Sequence, residues 1–178
     1  MGKKIAILRG INVGGKRKIL MADLKSMLSD IGIPNAVTYI QSGNVIFESE
    51  KDNLAISHQI EVAILKKFGF EVPAIVRTAE ELKQSIKSNP FYDDETDITK
   101  LVLTFLKETP KNEDIETLKP IDSKEDKYVI KEKDVFIYCE GKYHQSKLTN
   151  NLFEKKLKVR ATTRNWKTVL KLMELSEG

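Results

Sequence analysis

An α+β fold of two similar halves is what this sequence predicts. Three observations carry that expectation. Short apolar runs of strand length alternate with stretches of helical period. The order strand, helix, strand, strand, helix, strand, helix is met twice. An acidic segment, residues 91–99, separates the two passes. With 178 residues, the chain can bury about two-thirds of its unfolded surface without disulfide staples.

Residues 3–9 read as the first strand. Leu24, Met27, Leu28 and Ile31 fall at i, i+3, i+4 and i+7, which predicts a helix over 21–31, ended by Gly32 and Pro34. Val37-Thr-Tyr-Ile40 and Val45-Ile-Phe47 flank Gln41-Ser42-Gly43-Asn44, a hairpin with Gly and Asn in its turn. Ile56, Ile60, Ile64 and Phe68 repeat every fourth residue and predict a helix over 52–68, capped by Gly69. Val72-Pro-Ala-Ile-Val76 is a strand, and Thr78-Ala-Glu-Glu81 is a capping box opening the next helix. The second pass gives a strand at 100–105 and a short helix with Pro110 at its first position. Strands at 127–130 and 135–138 follow, then a helix from Ser146 to Leu157 and a strand at 158–162. Thr163 is expected to cap a last helix whose apolar stripe is Trp166, Val169, Leu170 and Met173. Each half is thus expected to be a ferredoxin-like βαββαβ subdomain, an antiparallel sheet with helices on one face, plus an extra helix after each. The expected division is a first subdomain over 1–90, an acidic linker over 91–99 and a second subdomain over 100–178.

Composition narrows the function classes. Cys139 is the only cysteine, so no internal disulfide or cysteine-rich metal site can form. His58 and His144 are far apart in sequence, and no metal is expected. No apolar run reaches membrane-spanning length, and the amino terminus lacks a signal-peptide core, so a cytoplasmic protein with no membrane partner is expected. Nothing in the sequence calls for a cofactor. Net charge is +4 over 1–90, −6 over 91–140 and +6 over 141–178. Basic ends of this kind admit nucleic acid or nucleotides as partners.

The segment most suited to a ligand follows the first strand: Arg9-Gly-Ile-Asn12-Val-Gly14-Gly15-Lys16-Arg17-Lys18. Glycines let backbone N–H groups approach an anion, and four cations stand beside them. Its Gly10-to-Lys16 spacing is that of a P-loop, but Arg17 stands where Ser or Thr would hold magnesium. A purely structural loop, whose glycines meet positive-φ demands, is the competing reading. In a βαββαβ unit the first loop and the hairpin after the second strand share one sheet edge. That brings Arg9, Asn12, Gly14, Gly15, Lys16 and Arg17 beside Gln41, Ser42 and Asn44. In the second half the same reasoning groups the loop 141–146 with 162–165, and so Ser146, Lys147, Asn150, Thr163, Arg164 and Asn165 with His144. Both loops are expected to open helices, where free N–H groups favour anions. If the subdomains pack top to bottom, the two clusters form one cleft.

The chain also resembles the domain-of-unknown-function 1697 family. The residues that carry the resemblance are Arg9-Gly-Ile-Asn-Val-Gly-Gly-Lys16, Thr38-Tyr-Ile-Gln-Ser-Gly-Asn-Val-Ile-Phe47, Ser146-Lys-Leu-Thr-Asn150 and Ala161-Thr-Thr-Arg-Asn-Trp-Lys-Thr-Val169. The resemblance implies two ferredoxin-like subdomains and carries over no catalytic residue.

Two functions from different classes follow. The first is binding of a phosphate-bearing ligand, a nucleotide or nucleic acid, with Arg9, Lys16, Arg17 and Arg164 on phosphate and Asn12, Gln41, Asn44 and Asn165 as oriented hydrogen-bonding groups. Reading RNA on the sheet face is disfavoured, because the first strand offers no aromatic. The second is an enzyme acting on a small anionic substrate by positioning and electrostatics in an intersubdomain cleft. A subunit with only a protein-interaction role is the third reading, and an exposed apolar sheet face is its signature.

Overall fold

A computed structural model describes residues 2–178. The chain divides into two compact units, Met1–Gln84 with Lys171–Gly178, and Ser85–Leu170.

In the first unit the sheet is built from β1 (Lys3–Leu8), β2 (Val37–Tyr39), β3 (Asn44–Glu48) and β4 (Ala74–Thr78), in the order β2-β3-β1-β4. All its pairings are antiparallel. Helices α1 (Met21–Asp30) and α2 (Asn53–Phe68) cover one face. Strand alternation sends Ala6, Leu8, Val45, Phe47, Ala74 and Val76 to that face, where they meet Leu24, Met27 and Leu28 of α1 and Ile56, Ile60 and Ile64 of α2. Each fully buried aliphatic of this kind contributes about 1.5–3 kcal/mol. Asp52 caps α2 by accepting from the amides of Leu54 and Ala55, and Gly69 closes it at φ +82. Helix α3 (Ala79–Ser88) opens on the expected capping box: Thr78 Oγ1 accepts from Glu81 N at 3.0 Å, and Glu81 Oε2 accepts from Thr78 N at 2.8 Å.

The second unit repeats the plan with β5 (Leu101–Leu106), β6 (Lys127–Lys131), β7 (Asp134–Tyr138) and β8 (Ala161–Asn165), in the order β6-β7-β5-β8. A short helix α4 (Asn112–Glu116) and α5 (Asn150–Leu157) complete its core, with Phe153 and Leu157 against Val102, Val135 and Ile137. The last helix is α6 (Trp166–Glu177). The two sheets share not only their order but their registers. Ile5 faces Arg77 and Leu103 faces Arg164; Ile7 faces Asn44 and Phe105 faces Asp134. The mixed α+β class and the two similar halves are those expected.

Neither face of the central strands is left to water. Ile5 and Ile7 point away from α1 and α2 and are 0 % exposed, and all six residues of β5 are buried. Such double burial explains why these strands read as near-continuous apolar runs rather than as an alternation.

Several boundaries differ from the sequence expectation. β4 begins at Ala74, not Val72, because Pro73 has no N–H to give the ladder. Pro110 lies outside α4, which starts at Asn112. α5 starts at Asn150, where Thr149 accepts from Leu152 N, so Ser146 is not its opening residue. Lys158 ends α5 in the left-handed region, and β8 therefore starts only at Ala161. Thr163 is not a helix cap: pairing with β5 continues to Asn165, and Asn165 Oδ1 accepts from Thr168 N at 2.9 Å. On α6 the buried residues include Trp166, Val169 and Leu172, with Leu170 and Met173 only half-buried.

Asn165→Ala is expected to destabilise the protein by about 1 kcal/mol in urea unfolding, with Asn165→Asp near wild type, because a side-chain oxygen at this position caps α6. Equal stability of Asn165→Ala and wild type would show that the cap contributes nothing.

Candidate functional site

The loop between β1 and α1 is a small finger. Lys16 N donates to Val13 O at 3.0 Å, and the two residues form an isolated bridge. Gly14 and Gly15 sit at its tip at φ +57 and +73. Two successive positive values define a type I′ turn, which explains the glycine pair without any ligand. The loop is therefore not a P-loop despite its spacing, since the glycines close a turn and α1 begins only at Met21.

The base of the finger is clasped by one amide. Asn12 Oδ1 accepts from Ile19 N at 2.9 Å, while Asn12 Nδ2 donates to Ile19 O at 2.9 Å and to Gln41 O at 2.8 Å. Asn12 itself is at φ +55, a conformation Asn tolerates. Arg17 O accepts from Asn12 N, and the Arg17 Nη1 lies 3.3 Å from where a Cβ on Gly10 would stand. Lys16, Arg17 and Lys18 are exposed, and among the described residues none of them has an ion-pair partner. The finger thus carries three adjacent positive charges on a backbone held by hydrogen bonds.

The hairpin expected beside it is there. Gly43 O accepts from Leu8 N at 2.8 Å, and Gln41 supplies the carbonyl to Asn12. Gly43, at φ +84, admits no side chain: a Cβ would meet Ile11 Cδ1 at 2.7 Å and Leu8 Cβ at 2.9 Å. Asn44 is fully buried, and its Nδ2 donates to Tyr39 O and Ser42 Oγ, both at 3.0 Å. Asn12 and Asn44 therefore hold backbone in place, while Lys16, Arg17 and the Gln41 side chain face water.

The residues grouped in the second half are divided by the structure. Ser146 Oγ donates to Asp126 Oδ2 at 2.5 Å, and Asp126 Oδ1 accepts from Glu140 N at 2.9 Å. Ser146 and Lys147, with Asp126, Glu140 and Lys142, line an open cleft of about 310 Å³. Burial and the nearby Asp126 carboxylate push the Cys139 thiol up from its ordinary range, offset in part by a hydrogen bond with Ser146. Thr163 and Asn150 instead belong to a partly buried polar chain: Thr163 Oγ1 lies 2.7 Å from Thr104 Oγ1 and 2.9 Å from Asn150 Oδ1, and Asn150 Nδ2 donates to Ala161 O. Tyr143 joins it, its phenol raised by burial. Arg164 lies on the opposite face of β8 from Thr163, buried, with Nη1 bonded to Thr162 Oγ1 and Thr163 O. Desolvation lowers its guanidinium to about 10, so it stays charged at neutral pH. Asn165 is the α6 cap. The helix openings at this edge lie later in the chain than expected: residues 143–145 form a 3-10 turn and α5 opens at Asn150, while 161–165 is a strand and α6 opens at Trp166.

Sequence reading alone misses some candidate residues. Arg77 occupies in β4 the register position that Arg164 occupies in β8, and it too is buried. The likeness of Ala74-Ile-Val-Arg77-Thr78 to Ala161-Thr-Thr-Arg164-Asn165 is the signal that marks it. A second cleft of about 520 Å³ is lined by Phe91, Asp93, Asp97, Lys100, Lys127 and Tyr138. Asp93 and Thr96 bond each other there and shape the acidic segment into a turn. Among the described residues no group of three or more His, Cys, Asp or Glu is placed to hold a metal ion, and no helix is long and apolar enough to cross a membrane.

The architecture defines a protein of two ferredoxin-like halves with polar loops at the strand ends. The chain belongs to the family described as protein of unknown function (DUF1697), whose model matches residues 1–136. The finger and the hairpin lie inside that match, and the 146–150 and 161–169 blocks lie beyond it. No curated protein matches the chain. Among solved structures, the conserved bacterial protein SP0830 from Streptococcus pneumoniae is similar, with a TM-score of 0.80 at 22 % identity over 98 % of both chains. That likeness concerns the fold.

Asn12→Ala is expected to lower stability by about 1–3 kcal/mol, because it removes three hydrogen bonds and strands partly buried backbone groups. Urea unfolding checks this, and an unchanged midpoint would contradict the clasp. The Cys139 thiol is expected to react with iodoacetamide at pH 8 far more slowly in folded protein than in urea, because it is buried and its pKa is raised. Equal rates would contradict its burial.

Proposed function

We propose that this protein binds a phosphate-bearing polyanion, the backbone of a nucleic acid, through the finger Val13–Lys18. One observation carries the reading: Lys16, Arg17 and Lys18 are consecutive, exposed and without ion-pair partners among the described residues, on a loop whose shape is fixed by the Asn12 clasp. A structural loop needs its glycines and Asn12, but not those cations. Because the Asn12 clasp already holds the backbone that carries these cations, binding need not order the loop as well, which favours it. The finger is convex, with residues 13–18 all exposed, whereas small nucleotides bind in concave sites. An extended phosphate chain fits that shape better than a lone nucleotide. Burial of both faces of the central strands supports loop contact over base reading on the sheet, and gives no support from those strands to the protein-interaction reading, which an exposed apolar sheet face would favour. We place this activity in the cytoplasm, where an unpaired thiol such as Cys139 is at home.

Fluorescence anisotropy with a labelled oligonucleotide across a salt series tests the reading. Wild type is expected to bind with log K falling linearly in log salt. Lys16→Ala or Lys18→Ala is expected to reduce that slope by about 0.7–0.9 for each phosphate no longer neutralised. ATP is expected to compete poorly. Absence of oligonucleotide binding at low salt would contradict the proposal, and tight ATP binding would move the ligand to nucleotides.

A further inference from the structure

We infer that the finger carries a second, non-ionic layer of contact, formed by Val13, Leu20 and Ile40, which packs against the apolar sugar and base-edge surface of a nucleic-acid groove while the cations hold phosphate. The inference rests on the reading of the finger as a phosphate-binding element.

The three aliphatic side chains are among the most exposed large apolar groups described: Val13 64 %, Leu20 69 % and Ile40 46 %. Their positions in the chain are drawn together. The Asn12 amide ties together the backbones of Asn12, Ile19 and Gln41, and Val13, Leu20 and Ile40 are the immediate chain neighbours of those three residues. Lys16, Arg17 and Lys18 lie on the loop between them. Cations interleaved with aliphatics on one rigid projection match a groove, whose walls are phosphate and whose floor and sides are sugar and base edges.

Two of the three stand where folding prefers another residue. Leu20 is the residue at the N-cap of α1 and makes no side-chain cap hydrogen bond, in a position where Ser, Thr, Asp or Asn stabilises and Leu does not. Ile40 is at φ +51 and is the one β-branched residue with positive φ among the described residues. That backbone region strains β-branched side chains, and Asn or Gly relieves it. An aliphatic left largely in water at a position that prefers another residue adds little to the fold there. Local rules broken without a structural return are found at functional sites.

Leu20→Ser and Ile40→Asn test the inference, because both are expected to raise stability while weakening binding. Their urea midpoints should be at or above wild type. Their affinity for a labelled duplex oligonucleotide should fall by about three- to tenfold each, as expected for apolar contacts of this size. The salt slope should stay that of wild type, whereas Lys16→Ala reduces it. Wild-type affinity in both variants, measured beside a weakened Lys16→Ala, would overturn the apolar layer and leave the phosphate reading standing. A reduced slope in the aliphatic variants would also overturn it, since the effect would then run through the cations. Binding of phosphatidylserine vesicles with no binding of oligonucleotides would replace the groove with an anionic membrane surface. A wild type that binds neither probe would remove both this inference and the reading beneath it.

Discussion

Everything else in this molecule follows from the burial of its two central strands. β1 and β5 each have a hydrogen-bonded neighbour on both sides and apolar side chains buried on both faces. Their side chains are thereby withdrawn from solvent, and neither central strand offers a free face on which to hold a ligand. Polar chemistry is displaced to the strand ends, where the backbone leaves the ladder and loops reach water. The shared register of the two sheets, with an arginine opposite Ile5 in one and opposite Leu103 in the other, shows that both halves solve the same packing problem in the same way.

At the end of β1 the backbone takes a closely specified path. An eight-residue stretch from Gly10 to Arg17 holds five positive φ values, a run that ordinary loops avoid. Asn12 makes it persistent by joining three separate backbone points with one side chain. A backbone held in this way has a use, since less of the loop needs ordering when a ligand arrives. The second unit differs: β5 is followed by Lys107-Glu108-Thr109-Pro110, with one cation, a carboxylate beside it and no glycine. The two halves share a scaffold and differ in what hangs from it.

Much of the scaffold could be read from the sequence. Apolar period gave α1 and α2, the reciprocal Thr78 and Glu81 bonds were visible as a capping box, and topology alone brought the first loop to the hairpin. What escaped had nonlocal causes. Ala161-Thr-Thr-Arg-Asn165 reads locally as a strand end and a cap, because Thr and Asn both cap helices; only pairing with β5 keeps it extended to Asn165. Asn12 reads as a ligand group because its partners, Ile19 and Gln41, are distant in sequence. Ser146 and Thr163 fall in one loop group by topology yet serve different networks, since Asp126 draws one and Asn150 the other. The left-handed backbone at Ile40 has no sequence signature at all, because Ile is among the residues least suited to it.

The most direct measurement is a nitrogen-15 amide titration with a short duplex at low salt, followed by addition of salt. Shifts are expected to concentrate at Val13–Lys18, Leu20 and Ile40–Asn44 and to reverse as salt rises. Shifts confined to the cleft around Asp126 and Ser146, or none anywhere, would contradict the finger as the contact surface.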